Sequence, residues 1–245
     1  MSMDITDLQR RLRAAGLYHG ALDGIVGPMS RAAIKSFQAA NGLQADGFPS
    51  AAVDALLARI PLPIITIPPW LQAMRDHLGL AEIEGTGSNP KILALAKKVA
   101  SADPRLGWID AFYDDDAIPW CGLMEAWCMV EAGLLPPTPN PLSARSWAQW
   151  GLALPRAIPG AILVFSRPGG GHVGLYEGED DTHYLVIAGN QGDRVSKARL
   201  PKSRILKDDA GAVIGVRWPA TVAVPIGASP IVIDTNGIPL SAKEA

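Results

Sequence analysis

Residues 119–128 have the sequence PWCGLMEAWC, and they predict where a helix begins. Pro119 is incompatible with a helix interior, because its ring clashes with the preceding turn and its nitrogen has no hydrogen to donate. The helix is therefore predicted to begin directly after it, with Cys121 in the first turn, and to run to about Glu131, stopping near Gly133. At such a position the unpaired N–H groups and the positive end of the helix dipole favour a thiolate, so we expect the pKa of Cys121 to be lowered.

The second cysteine, Cys128, lies seven residues later on the same helix face, ~10.5 Å further along the axis at ~1.5 Å per residue. A disulfide needs Cα atoms within ~7 Å, so the two cannot pair. Two cysteines in 245 residues also predict neither a disulfide framework nor a metal cluster. We interpret Cys128 as a small core residue and Cys121 as the reactive one, although a lone cysteine is more often structural. A thiolate is the nucleophile needed to attack an amide carbonyl.

A histidine begins the predicted strand in PGGGHVGLY, residues 168–176. The glycines match neither the dinucleotide nor the Walker phosphate-binding pattern, so they indicate a tight turn with little side-chain bulk. His172 is predicted to act as the base for Cys121, which would leave a thiolate–imidazolium pair. The other three histidines have no comparable setting and no zinc-ligand spacing, and they are interpreted as surface or packing residues: His19, His77 and His183.

A third group must orient the imidazole by accepting a hydrogen bond from its other nitrogen. The candidates lie in YLVIAGNQG, residues 184–192, which is predicted to be the next strand and the turn after it. Asn190 follows the apolar strand, where an amide can point back at the neighbouring strand, and we predict it as the third member. Without the other two motifs, Asn190 would be interpreted as a turn residue.

Proline marks the boundary between two parts of the chain. Residues 61–69 contain four prolines and predict a stiff extended connector. Before it, residues 1–60 form the N-terminal module; after it, residues 70–219 form a larger domain, and residues 220–245 a partly ordered tail. In the larger domain, helical spacing at 70–78, 90–99, 121–131 and 144–148 precedes strand-like runs at 161–165, 172–177, 183–188 and 213–218. Helices followed by strands predict an α+β fold with helices packed on a mostly antiparallel sheet.

The N-terminal module is predicted to hold three short helices. Thr6 and Gln9 suggest a capping box for the first, Ser30 a cap for the second and Ser50 a cap for the third. The order of residues resembles the three-helix peptidoglycan-binding domain found beside many cell-wall hydrolases, at Leu8-Gln9, Gly16-Leu17-Tyr18, Asp23-Gly24, Gly27-Pro28, Phe37-Gln38, Gly42-Leu43 and Asp46-Gly47. The resemblance implies a module that holds the protein on the wall. On pattern alone, a structural cap or oligomerisation piece is the alternative.

In the larger domain, the order PWC…GGHVGLYEG…AGNQ, with SARSW (143–147) and PGAILVF (159–165) between, resembles papain-like cysteine hydrolases of the CHAP and NlpC kind. The resemblance covers roughly residues 75–219. It implies Cys121 as nucleophile, His172 as general base and acid, and Asn190 as the orienting residue. Trp120 stands where many relatives place glutamine, so backbone amides at the helix start, including that of Cys121, are expected to form the oxyanion hole.

Together the two resemblances predict a modular peptidoglycan hydrolase, an endolysin that cleaves an amide in the stem peptide or between muramic acid and L-alanine. The runner-up is an antibacterial effector with the same chemistry, injected by a secretion machine. A third reading is a non-catalytic wall-binding or virion structural protein that keeps the papain-like fold.

Composition limits the partners. A net charge of −2 argues against a nucleic-acid binder, and no apolar run approaches the ~18 residues of a membrane span. The N-terminal stretch MSMDITDLQRR has no apolar signal-peptide core, so we expect synthesis in the host cytoplasm, with access to the wall through a pore or by injection. Peptidoglycan is the expected partner, the chain is expected to be a monomer, and no cofactor or metal is assigned. Asp114–Asp116 is interpreted as a solvated acidic loop, not a calcium site.

Overall fold

The computed structural model describes residues 4–20, 24–60, 67–225, 228, 230, 231 and 233. The chain divides into two compact units, the first containing the three N-terminal helices and the second, here called the larger unit, containing every later helix and strand. Residues 61–66 of the predicted connector, Asp23 and most of the predicted tail lie outside the described residues. Among the described residues, no helix is both long and apolar enough to cross a bilayer.

The N-terminal module folds around its own core. Its helices are α1 (Ile5–Ala14), α2 (Pro28–Ala40) and α3 (Ala51–Leu57). Their buried faces meet in one apolar cluster of Leu8, Leu12, Tyr18, Ala33, Ile34, Phe37, Val53 and Leu57. This is the burial expected from apolar residues recurring every three to four positions.

Two of the three predicted helix caps are wrong. Asp4, not Thr6, caps α1, because its carboxylate accepts the Asp7 N–H at 3.3 Å. In α2 the chain enters through Gly27 and Pro28, and Ser30 lies inside the first turn. Ser50 caps α3 as predicted, accepting the Val53 N–H.

Two buried glutamines hold the turns of the module. Gln9 donates to Ser30 Oγ at 3.1 Å and to the Ile25 carbonyl at 3.0 Å. Gln38 likewise accepts the Gly47 N–H at 2.8 Å and donates to the Phe48 carbonyl at 3.1 Å. Each amide satisfies backbone groups that no helix partner reaches, which accounts for polar residues in the helix faces that the core covers.

The larger unit begins with helices. They are α4 (Pro69–Asp76), α5 (Pro90–Ala100), α6 (Trp108–Phe112) and α7 (Cys121–Glu131), with 3₁₀ helices at Pro104–Leu106, Ala144–Gln149 and Lys202–Arg204. Helix α7 has the predicted bounds and is followed by Gly133 at φ 73°. It is buried on nearly every side because it packs against α4, α5 and the middle of the sheet.

Six strands form one antiparallel sheet in the order β1-β6-β2-β3-β4-β5. The strands are β1 (Leu152–Ala153), β2 (Ile162–Arg167), β3 (Gly170–Glu179), β4 (His183–Ala188), β5 (Ser196–Pro201) and β6 (Val216–Trp218). Helices packed on an antiparallel sheet confirm the predicted α+β fold class. Strand β5 and helix α6 were not predicted. Within the predicted tail, Ile231 and Ile233 exchange backbone hydrogen bonds with Glu179 at the end of β3.

Candidate active site

The first turn of α7 carries Cys121, and its entry is held from the sheet side. Trp120 precedes the helix with φ −118° and ψ 17°, and its own side chain caps nothing. Instead the Asn190 side chain, at the end of β4, accepts the Trp120 N–H at 3.2 Å. An orphan backbone donor at a helix start is thus satisfied by a residue 70 positions away.

Close packing around the helix start requires a glycine directly after Cys121. A Cβ on Gly122 would lie 2.3 Å from the Leu142 carbonyl oxygen and 2.6 Å from that of Pro141. Neither oxygen can move away without shifting the loop, so any larger residue at this position would displace the segment that covers the start of α7.

Cys121 is buried, with 4% of its surface exposed. Burial raises the pKa of its thiol, although the Val173 N–H, the charge of Arg167 and the N–H groups of Gly122 and Cys121 itself oppose this. The predicted lowering of the Cys121 pKa is therefore wrong in its net direction. The N–H groups at the helix start lower the pKa as expected, but removal of the sulfur from water raises the pKa by more.

His172 and Gln191 are joined across β3 and the end of β4. His172 Nε2 lies 3.2 Å from Gln191 Oε1, and both residues are buried. Gln191 Nε2 donates to the Ser196 carbonyl at 2.7 Å. The Ser196 carbonyl can only accept, so Gln191 Nε2 faces it and Gln191 Oε1 faces the imidazole. Because Oε1 can also only accept, His172 Nε2 must carry the hydrogen of that bond. In the neutral imidazole, Nδ1 is then the basic nitrogen.

The structure brings the Cys121 thiol against the strand residue that follows His172, but it directs Asn190 elsewhere. The N–H of Val173, the residue after His172, acts on the Cys121 thiol. Asn190, predicted to orient the imidazole, instead accepts from Trp120 N–H and donates to Glu82 Oε1 at 2.8 Å. The amide that contacts the imidazole belongs instead to Gln191, the next residue in the chain.

Glu82 completes a cluster with Trp120 and Asn190 that sequence reasoning did not find. Its Oε1 accepts from Trp120 Nε1 at 2.7 Å as well as from Asn190 Nδ2. Burial raises the pKa of Glu82 against the effect of the Trp120 hydrogen bond, and three nearby carboxylates raise it further: Asp193, Asp116 and Asp115. Glu82 lies 38 and 108 positions from its partners, so no local spacing could have indicated it.

Behind Cys121 on α7 lies a carboxyl group with no described partner. Glu125 is fully buried, and neither of its side-chain oxygens has a hydrogen-bond partner among the described residues. Burial raises the pKa of Glu125 well above its ordinary value. Cys128 is also fully buried, and burial together with the Glu125 charge raises the pKa of its thiol.

The acidic stretch Asp114–Asp116 is not wholly solvated, so that interpretation is wrong for Asp116. Asp116 is 2% exposed, and its Oδ2 accepts the N–H groups of Ile83 at 3.0 Å and Asn89 at 2.7 Å. This carboxylate therefore holds the loop before α5. Over the described ranges, no cluster of three or more metal-ligating side chains occurs.

Comparison with known proteins identifies the N-terminal module. Residues 2–57 match the family model described as "Putative peptidoglycan binding domain". Among curated proteins, the "Putative OxPP cycle protein OpcA" of Synechococcus elongatus is 52% identical over 46 residues, which is 19% of this chain and 10% of that protein. No solved structure matches. The chain thus carries a peptidoglycan-binding domain at its N-terminus, which supports association with the bacterial cell wall.

Proposed function

We propose that the larger unit is a cysteine hydrolase that cleaves an amide bond of peptidoglycan, delivered to the wall by the N-terminal module. The observation that carries the proposal is the buried His172–Gln191 pair, since the N–H of the next residue, Val173, acts on the thiol of Cys121 at a helix start. A buried polar pair of this kind orients an imidazole toward a nucleophile, which is the arrangement that acyl transfer needs.

In the proposed first step, His172 Nδ1 takes the proton of the Cys121 thiol as the sulfur attacks the amide carbonyl. Because burial raises the thiol pKa, we expect a neutral thiol–imidazole pair at rest, with the proton transferred during attack. The Gln191 acceptor keeps the hydrogen on Nε2 and stabilises the imidazolium that forms.

The tetrahedral intermediate needs donors for its oxyanion. The N–H groups of Cys121 and Gly122 lie in the first turn of α7, where the helix has no side-chain cap, and both act on the cysteine sulfur. We assign the oxyanion to these amides. The Trp120 indole donates to Glu82 and has no role there.

The imidazolium then protonates the leaving amine, the C–N bond breaks, and a thioester to Cys121 remains. Water, deprotonated by His172, attacks this thioester, and the carboxylate product leaves as the thiol regains its proton. The original thiol proton leaves with the amine, and a proton from the attacking water replaces it. The thiol and the neutral imidazole are thus restored after one turnover, and the acid that is released ionises in solution.

We further propose that the protein is an endolysin, reaching the wall through a membrane pore. A wall-binding module beside a lytic domain gives the enzyme a high local concentration on an insoluble substrate. An injected effector would use the same chemistry.

The test is digestion of purified sacculi by the full chain, with turbidity and mass spectrometry of the released fragments. Cys121→Ala and His172→Ala should each abolish cleavage while circular dichroism stays unchanged. Cys128→Ala, a change of the same kind at the buried cysteine about two turns further along α7, should retain most activity. Lysis by Cys121→Ala at the wild-type rate would overturn the proposal, and binding without cleavage by the wild-type chain would favour a non-catalytic wall binder.

A further inference from the structure

Two arginines flank the turn that leads into His172. Arg167 is the last residue of β2, and Arg145 lies in the first turn of the 3₁₀ helix Ala144–Gln149. The turn between β2 and β3 includes Gly169 at φ 77°, a conformation that favours glycine. The glycines that follow it, Gly170 and Gly171, pair with the end of β2.

The side chains of both arginines run along this glycine backbone. A Cβ on Gly170 would lie 3.9 Å from Arg167 Nε, and a Cβ on Gly171 would lie 3.5 Å from Arg145 Cγ. Arg145 also approaches the Gly170 carbonyl at 3.5 Å. Both arginine side chains therefore lie close to the two residues that precede His172 in the chain.

Neither arginine has a carboxylate partner among the described residues. Two cations of β5 do have carboxylate partners: Lys197 contacts Glu177, and Arg199 contacts Asp180. Arg145 and Arg167 belong to none of the ion pairs within the described ranges, although Arg145 is exposed and Arg167 half-buried. A guanidinium stays charged at every physiological pH, so this face carries two positive charges that the fold itself leaves without a described acidic partner.

The charge of Arg167 reaches the reacting atoms, since it favours the thiolate of Cys121. Negative charge lies next to Trp120, the residue before Cys121, because Glu82 accepts from the Trp120 indole and lies near Asp116 and Asp193. The positive charge comes from the arginines at the β2–β3 turn. A substrate lying across Cys121 would meet the arginines on the side of the β2–β3 turn.

We propose that Arg145 and Arg167 bind a free carboxylate of the substrate's peptide, next to the scissile amide. This inference rests on the proposed function, because it assigns a substrate group to the same site. A planar guanidinium matches a carboxylate through two parallel hydrogen bonds, which gives geometric selection as well as charge. Stem peptides carry such carboxylates, and in amidated forms of the wall the same positions are neutral carboxamides.

The consequence is selectivity between acid and amide forms of one peptide. A carboxamide presents an NH₂ group, which cannot accept from a guanidinium and would leave one donor without a partner. Charge-assisted hydrogen bonds support a preference of about 10- to 100-fold for the free acid.

The experiment compares two soluble muropeptides that are identical except for a carboxylate or a carboxamide beside the scissile bond. The full chain should show a kcat/KM about 10- to 100-fold higher on the acid. Arg145→Gln and Arg167→Gln should each reduce that ratio toward one, mainly by slowing cleavage of the acid. Arg156→Gln, the same change at an exposed arginine between β1 and β2, is the matched control and should keep the wild-type ratio.

Equal cleavage of both peptides by the wild type would overturn the proposal, as would equal losses on both peptides in the two arginine variants. A binding arm separates this inference from the proposed function. The Cys121→Ala chain, with and without Arg167→Gln, is titrated with both peptides by calorimetry. Suppose that the wild-type chain cleaves neither peptide, while the Cys121→Ala chain binds the acid more tightly than the amide and loses this preference with Arg167→Gln. The carboxylate site then stands and the hydrolase proposal fails.

Discussion

His172 Nε2 lies 3.2 Å from Gln191 Oε1, and the same amide is held in place by its own donation to the Ser196 carbonyl. The imidazole is therefore oriented by the Gln191 side chain, whose oxygen and nitrogen atoms both take part in hydrogen bonds. Such an arrangement specifies the tautomer as well as the ring position, which an amide free to flip would not do. The adjacent Asn190 has a different pair of partners and a different task.

Gln191→Ala should lower kcat by about 100-fold, because a general base that loses its orienting acceptor loses much of the 10²–10⁴-fold that such catalysis contributes. Asn190→Ala should instead lower the melting temperature, since it leaves the buried Trp120 N–H without its acceptor and places alanine at φ 57°. The measurement is kcat and thermal unfolding for both variants. The opposite pattern would restore Asn190 as the orienting residue.

The rate of alkylation of Cys121 in the free protein should increase with pH through the alkaline range. The thiolate is the species that reacts, and burial raises the pKa at which it forms. Arg167→Gln should move the midpoint to higher pH still, since it removes a charge that favours the thiolate. Iodoacetamide labelling across pH, followed by mass spectrometry, measures both. Labelling with a midpoint well below pH 8 would instead indicate a thiolate–imidazolium pair at rest.

The stability of the larger unit should fall as pH rises, owing to Glu125. A carboxyl whose pKa is raised on folding binds its proton more tightly in the folded state, so its contribution is complete below the unfolded pKa and is lost as pH rises through the folded pKa. Between the unfolded and the folded pKa of Glu125, the free energy of unfolding falls by about 1.4 kcal/mol per pH unit.

Glu125→Gln removes the titrating group and should flatten the dependence of the unfolding free energy on pH. Relative to the wild type, the variant's free energy of unfolding should therefore be higher at pH 8 than at pH 5. Glu84→Gln, the same change at an exposed carboxylate, should leave the pH dependence as in the wild type. Urea unfolding at several pH values provides the free energies. Parallel curves for Glu125→Gln and the wild type would show that Glu125 has a partner in solution.

The N-terminal module should bind insoluble peptidoglycan by itself, since it has its own apolar core. Residues 1–60 carry six Lys and Arg against five Asp and Glu, a net +1, so binding should survive moderate salt. Sedimentation of residues 1–66 with sacculi at two salt concentrations measures this.

A chain starting near Ile67 should still cleave soluble fragments and lyse intact sacculi at least ~10-fold more slowly. Unchanged lysis by the shortened chain would contradict a delivery role.

Sequence patterns were most informative where a single residue limits the backbone. Pro119, which cannot lie inside a helix, correctly placed the start of α7 at Cys121. Strand β5 escaped prediction because its exposed-side residues are cations: Lys197 pairs with Glu177 and Arg199 with Asp180. These cations neutralise acids on β3 or directly after it, not on the adjacent β4, and they give the sequence of β5 the appearance of a polar loop.

The one-residue error at the site has a similar local cause. Alternation assigns faces only while the backbone stays extended. Asn190 has φ 57°, so the two-residue period ends there and cannot say which of two successive amides points toward β3. Glu82 and Asp116 act through contacts between distant segments, which periodicity does not encode.

The positions of Asn190 and Gln191 in one turn have a mechanical consequence. The Asn190 side chain holds the backbone just before Cys121, and the Gln191 side chain holds His172. Their Cα atoms are separated by a single planar peptide unit of ~3.8 Å, which thermal motion hardly stretches. When the end of β4 fluctuates, sulfur and imidazole are therefore carried in the same direction, and the gap between them varies less than either position does.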